Sequence, residues 1–193
     1  MEKKHIITIA GKLGSGKSST TKKVAEMLDY KHYSTGGMMR DIANEKGILL
    51  EDLSFIAEQD GSIDKALDDY NLEIGKMENI VLDSRLGFHF IPNSFKVFIE
   101  LDPKIAARRI LLDKKENSNR QKEATGNFDT EEDIAEKVEE RLLSERKRYK
   151  ELYNIEDHTD HKNFDFIIDS ENLPIEEVSI KIIKEYNDWL NNK

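Results

Sequence analysis

The stretch HIITIAGKLGSGKSS, His5 to Ser19, runs from branched aliphatic residues into glycine and then into lysine and serine. Its apolar part reads as a buried strand over Ile6–Ala10. Gly11, Gly16, Lys17 and Ser18 then fit G-x-x-x-x-G-K-[ST] at every fixed position. Glycines let the backbone curl so that successive N–H groups converge on one anion. A helix expected over Lys17–Leu28, with Val24, Met27 and Leu28 on its apolar side, adds the positive end of its dipole. Lys17 offers a point charge to the outer phosphates of a nucleoside triphosphate, and the Ser18 hydroxyl offers an oxygen to Mg²⁺. Gly11, Gly14, Ser15, Gly16, Lys17, Ser18 and Ser19 are therefore the residues expected to hold ATP.

The same alternation continues along the 193 residues. Further strands are expected at His32–Ser34, Ile80–Asp83, Lys96–Leu101 and Phe164–Asp169. Helices are expected at about 37–46, 51–58, 63–77, 103–115, 130–153 and 174–190. Strands alternating with helices imply an α/β domain whose mostly parallel sheet is covered on both faces. No repeat and no Pro/Gly/Ser-rich linker divides the chain, so a single domain over 1–193 is expected. Ile180, Ile183, Tyr186, Trp189 and Leu190 recur at helical spacing and read as core. The stretch DKKENSNRQKEATGNFD, Asp113 to Asp129, holds one aromatic and no branched aliphatic residue. It cannot build a core, and it reads either as a surface loop or as a lid that orders over a ligand.

Charge and composition narrow the function further. Thirty basic and 39 acidic residues leave a net charge of −9, which speaks against a general nucleic-acid or membrane-surface binder. Zero cysteines exclude disulfides, thiol nucleophiles and cysteine-type zinc sites. The start MEKKHIITIA reads as a lead into the first strand, not as a secretory leader. No apolar run approaches the roughly 20 residues that span a bilayer, and a cytoplasmic location is expected.

Two segments point to a second substrate. YSTGGMMR, Tyr33 to Arg40, is a strand end, a glycine turn and a helix start; IVLDSRL, Ile80 to Leu86, is a buried strand ending in Asp-x-Arg. At the carboxyl ends of parallel strands such residues face the ligand crevice. Asp83 stands where an acid would hold Mg²⁺ or its water. Arg40 and Arg85 would clamp a second phosphate through the planar guanidinium fork.

At these residues the chain resembles the nucleoside monophosphate kinases, most closely the archaeal-type cytidylate kinases. STGGMMR, with Ser34, Gly36 and Arg40, looks like their substrate-binding turn. VLDSRL looks like their third strand with its phosphate-binding arginine. RLLSERKRYKELY, Arg141 to Tyr153, is similar to their R-x-x-S-E-x-x-R-Y-x-x-x-Y helix, and NFDFIIDS, Asn163 to Ser170, to the strand after it. The likeness covers nearly the whole chain except 113–136. It implies a three-layer P-loop kinase fold with a five-stranded parallel sheet. It also implies transfer from ATP to CMP or dCMP; an acceptor-binding helical region is expected at about 36–77, and the polar insertion at about 113–136 is expected to be a mobile lid.

Arg141, Glu145 and Arg148 share one helix face at i, i+4 and i+7. Arg141 would stabilise charge on the transferring phosphoryl group and Arg148 would meet the acceptor phosphate; Lys17, Arg85 and Arg141 form the expected catalytic set. The family pattern carries an Ile-Asp in the region of Ile63-Asp64, so Asp64 is expected to accept from a base amino group or a ribose hydroxyl. Arg108 and Arg109 open the other side of the lid. His158 and His161, with Asp157 and Asp160 beside them, read as a polar loop. A monomer or weak homodimer is expected. The alternatives are a kinase for AMP, UMP or a small hydroxyl substrate, and a nucleotide-binding switch, which lacks an Asn/Thr-Lys-x-Asp motif.

Overall fold

The aliphatic run before the glycine loop becomes β1 (Ile6–Gly11), every residue of it buried up to the glycine. Burial of both faces suits a β-branched strand, because each side chain finds a neighbour above and below the sheet. The computed structural model describes residues 3–59, 61–116 and 130–191. Among these, β2 (Lys31–Ser34), β3 (Ile80–Asp83), β4 (Phe95–Glu100) and β5 (Phe166–Asp169) join β1 in the order β2-β3-β1-β4-β5. All pairs are parallel, with Ile9 opposite Asp83 on one side and Val97 on the other. Parallel neighbours need long crossovers, and helices supply them.

Alternation along the strands sorts side chains into two layers. Ile7 and Ile9 point with Val81, Val97 and Ile99 to the side covered by Val24 and Ala25 of α1 (Lys17–Leu28) and by Val178, Ile182 and Tyr186 of α8 (Ile175–Asn191). Ile6, Ile80 and Leu82 belong to the other layer, where Ile74 of α4 (Ser62–Ile74) and Ile91 cover them. Each fully buried aliphatic side chain contributes about 1.5–3 kcal/mol. A third cluster, Ala43, Leu53, Ala57 and Ile63, ties α2 (Thr35–Lys46) and α3 (Leu50–Gln59) to α4. After β4, α6 (Pro103–Glu116) packs on α7 (Glu131–Tyr153). The three-layer arrangement is the one the alternation implied.

Element ends follow local chemistry. Ser34 Oγ accepts the Gly37 N–H at 3.1 Å and so caps α2. Pro103 occupies the first turn of α6, where its missing N–H costs nothing, and Asp102 accepts from the Lys104 N–H at 2.8 Å. Thr130 caps α7 ahead of Glu131, Glu132 and Asp133.

Three expectations are corrected. Ile180 is half exposed, and the buried stripe of α8 runs through Val178, Ile182 and Tyr186. Met27 is likewise exposed, so α1 packs through Thr20, Thr21, Val24 and Ala25. The helix expected to reach Met77 stops at Ile74, where Gly75 closes it. A short helix, α5 (Gly87–Phe90), was not foreseen. Most of the expected lid, with Arg120, lies outside the described residues.

Candidate active site

The loop after β1 brings its functional groups to the carboxyl end of the sheet. Gly14 has φ of 77°, and a Cβ there would lie 2.9 Å from the Ala106 carbonyl oxygen, so only glycine fits. Gly16, also at 77°, starts α1 without a side-chain cap, leaving the first-turn N–H groups of the helix to an outside acceptor. Ser15 Oγ is buried with no hydrogen-bond partner among the described residues. The Ser15 carbonyl accepts from Ser170 Oγ at 3.1 Å, which fixes the loop against the end of β5.

Lys17 and Ser18, the first residues of α1, both reach Asp83 at the end of β3. Lys17 Nζ pairs with Asp83 Oδ1, and Ser18 Oγ donates to Oδ2 at 2.7 Å. Burial pushes the Asp83 carboxyl up, but the Lys17 charge and the two hydrogen bonds overcome it and hold Asp83 below its usual value. Burial lowers Lys17 from its ordinary value against the pull of Asp83, and the Arg85 charge adds to the lowering. A hydroxyl and a carboxylate oxygen side by side fit a hard cation such as Mg²⁺. Among the described residues no cluster of three His, Cys, Asp or Glu could hold a metal alone. Any cation here would therefore draw its other ligands from phosphate and water.

Arg85, next after Ser84, and Arg141 of α7 meet at one carboxylate. Arg85 Nε lies 2.9 Å from Glu145 Oε2, and Arg141 Nε donates to Glu145 Oε1 at 2.9 Å. His158 Nε2 sits 3.5 Å from Oε2. Burial opposes the Glu145 charge, yet Arg85, His158 and Arg141 together hold it far below the carboxylate range. Arg141 is itself lowered, first by the Arg85 charge and then by burial. Two like charges thus stand close enough to feel each other, a setting that favours an incoming anion.

A second cluster lies between α4 and α7. Arg148 Nε is 3.7 Å from Asp64 Oδ1, and its guanidinium lies 5.4 Å over the Tyr149 ring. Asp64 is buried, which raises its carboxyl while Arg148 opposes the shift. One turn on, Asp68 accepts from Tyr153 Oη at 2.8 Å. His89 and Phe90 of α5 pack on Tyr153 with ring centroids 5.5 and 5.6 Å away. Arg40 rides in the second turn of α2, whose Thr35 Oγ1 donates to the Asp83 carbonyl at 3.2 Å.

The structure therefore gathers Lys17, Ser18, Asp83, Arg85 and Arg141 at one end of the sheet, with Asp64 and Arg148 beside them and Ser34, Gly36 and Arg40 at the head of α2. Ser19 is exposed, on the outer side of α1. Arg109 donates to the carbonyls of Ser170 and Glu171 at 2.9 and 2.8 Å. The loop around His158, expected to be a polar loop, buries His158 to 4% exposure and turns it to Glu145. The contacts among Asp68, His89 and Tyr153 are not expected from the sequence, although Tyr153 closes the arginine–tyrosine motif and Asp68 lies on the helix of Asp64. No spacing rule links them, because they come from three separate elements.

Acid should act on this site in a definite direction. Glu145 keeps its charge below the pH where an unfolded chain binds the proton, about 4.3. Its contribution is full above that pH and declines as pH falls further. Raised Asp64 and Asp68 act oppositely, costing stability as pH rises through the carboxylate range. The difference in unfolding free energy between the protein and Glu145→Gln should hold level in urea titrations from pH 6 to about 5 and then shrink toward pH 2.5. A difference that stays constant with pH would refute the assignment of a buried, ionised Glu145.

A family model described as AAA domain matches residues 7–134. The chain is 35% identical over 179 residues to a cytidylate kinase of Methanocaldococcus jannaschii, covering 90% of this chain and 92% of that protein. It is 33% identical over 182 residues to an S-adenosylmethionine-dependent nucleotide dehydratase of Lacinutrix mariniflava. That match covers 93% of this chain and 35% of the relative, so the chain spans about a third of that protein's length. A shikimate kinase of Bacteroides thetaiotaomicron superposes with a TM-score of 0.61 at 16% identity, covering 95% of this chain and 98% of that one. The last likeness concerns the fold, that of the P-loop kinases. No helix among the described residues is long and apolar enough to cross a membrane.

Proposed function

The chain belongs to the cytidylate kinase-like nucleoside monophosphate kinases of the P-loop superfamily, and on that premise we propose that it transfers the γ-phosphoryl group of ATP to CMP or dCMP. The observation that carries the reading is the gathering of Lys17, Arg85 and Arg141 around the uncapped start of α1. Three cations beside a helix N-terminus suit two phosphate groups brought end to end.

In this reading the α1 N–H groups and the glycine loop hold the ATP phosphates, and Lys17 moves from Asp83 toward the outer ones. Ser18 and Asp83 would hold Mg²⁺, which neutralises charge on the β- and γ-phosphates when bound. Arg40 and Arg85 orient the acceptor phosphate, and Arg141 faces the charge that develops in transfer. A monophosphate oxygen is already deprotonated near neutral pH, since its second pKa is about 6. No catalytic base is needed, and catalysis reduces to positioning and charge stabilisation. A hydroxyl acceptor would instead call for a carboxylate base, and in this reading Asp83, beside Ser18, is committed to Mg²⁺.

Arg148, expected from the sequence at the acceptor phosphate, stands 3.7 Å from Asp64, and in this reading the pair supports the choice of base. A carboxylate accepts from an exocyclic amine, and a neighbouring guanidinium donates to a carbonyl oxygen or a ring nitrogen. Cytosine offers that pattern of donor and acceptors, whereas uracil would turn a carbonyl oxygen toward Asp64. ADP release measured across CMP, dCMP, UMP, AMP and shikimate should therefore rank the cytidine nucleotides first. Asp64→Asn, which adds a donor, should narrow the CMP-over-UMP preference in kcat/KM by about ten- to a hundredfold. A wild-type preference for AMP or shikimate would overturn the reading.

A further inference from the structure

We propose that Glu145, backed by His158, is a positioning residue that sets Arg85 and Arg141 as a fixed pair for the transferring phosphoryl group; the inference rests on the kinase reading above. Two guanidinium groups at close quarters repel, and their long side chains carry considerable rotamer freedom. Glu145 counters both effects by dividing its oxygens, Oε1 to Arg141 and Oε2 to Arg85, each at 2.9 Å. Both contacts run through Nε, at the stem side of each fork. The terminal nitrogens are then the donors that a phosphoryl group meets, already oriented before it arrives.

Burial separates Glu145 from the other acids of its helix. Glu139 and Glu140 are exposed, whereas Glu145 is 8% exposed. A buried carboxylate is costly unless paired, and a leucine would fill the same space without that cost. The two arginines it holds offset that cost.

His158 supplies the second support. It is buried edge-on against Tyr149, with ring centroids 5.0 Å apart and planes at 90°. Its Nδ1 has no hydrogen-bond partner among the described residues, and its Nε2 faces Glu145. With Nδ1 unmet, the tautomer carrying its proton on Nε2 leaves no buried N–H stranded. The imidazole therefore has one polar engagement, and it is with the carboxylate that holds the arginines.

Glu145 also trims the charge of the pair. Without it the two arginines would grip the ground-state phosphate more tightly and the transition state less accurately. Glu145→Gln should thus lower kcat by about ten- to a hundredfold while lowering KM for the monophosphate. His158→Leu should move both constants the same way by a smaller factor. His158→Gln, whose amide can donate from the place of Nε2, should recover most of that loss. Arginine Nε–H signals in ¹⁵N spectra, assigned through Arg85→Lys and Arg141→Lys, provide a readout that needs no turnover. Both should be slow to exchange in the wild type and fast in Glu145→Gln. A kcat within twofold of wild type, or a fall in kcat with unchanged KM and a lowered Tm, would overturn the proposal, as would unaltered Nε–H exchange. If the wild type phosphorylated no monophosphate, the kinase reading would fail, and the Nε–H signals would still decide whether Glu145 holds the pair.

Discussion

Lys17→Ala is expected to lower kcat by about three orders of magnitude, the scale on which removal of one preorganised charge stabiliser acts. The effect should exceed any rise in KM for ATP, because charge on the phosphoryl oxygens grows toward the transition state. The side chain is nearly buried and lies against Asp83 rather than in the aliphatic layers. Its removal therefore leaves the hydrophobic packing untouched. Asp83 keeps the Ser18 hydrogen bond and can take up a proton more readily, which limits the stability loss. Kinetics should be paired with a thermal melt of the same sample. Near-normal turnover in a folded Lys17→Ala protein would sink the phosphate-loop assignment.

Asp83→Asn should show its main effect on stability in the empty protein. Lys17 and Asp83 are 16% and 4% exposed at their side chains, so each is desolvated at the other's expense. Breaking such a pair from one side costs about 3 kcal/mol or more, because the remaining charge stays buried without a partner. For a domain of this size that corresponds to a fall in Tm of roughly 6–12 °C. The triphosphate supplies the missing negative charge, so ATP in the presence of EDTA should close much of the gap. An equal deficit with and without ATP would mean that Lys17 does not meet the phosphates. An unchanged Tm in the empty protein would mean that the pair contributes nothing to folding.

Both expectations start from features that lie close together in the chain, and such features are legible without coordinates. The loop Gly11–Ser18 is one contiguous segment whose glycines dictate its path, so spacing alone declares a phosphate site. Ile6–Ala10 and Ile80–Asp83 are continuous apolar runs bounded by turns, and they became the paired strands β1 and β3. Errors arose where local pattern is ambiguous. On α8, Ile180 matched the aliphatic composition of its neighbours but not the face that meets the sheet, which runs through Val178, Ile182 and Tyr186. The four residues of α5 were too few to show a period.

By itself, the sequence determined the alternating α/β class, the phosphate loop, and the acids and arginines standing at strand ends. Tertiary structure alone decided which charges work together. In a chain with 36% charged residues, Glu145 looks like Glu139 or Glu140, and His158 like any loop histidine. α7 brings Glu145 onto Arg85, two residues past the end of β3, and the loop after α7 lays His158 on the same carboxylate. Tyr153 reaches Asp68 in the same way, from α7 to α4. Such pairings depend on burial, which sets both the cost of a charge and the strength of its partner, and burial is a property of elements that meet in space rather than of neighbours along the chain.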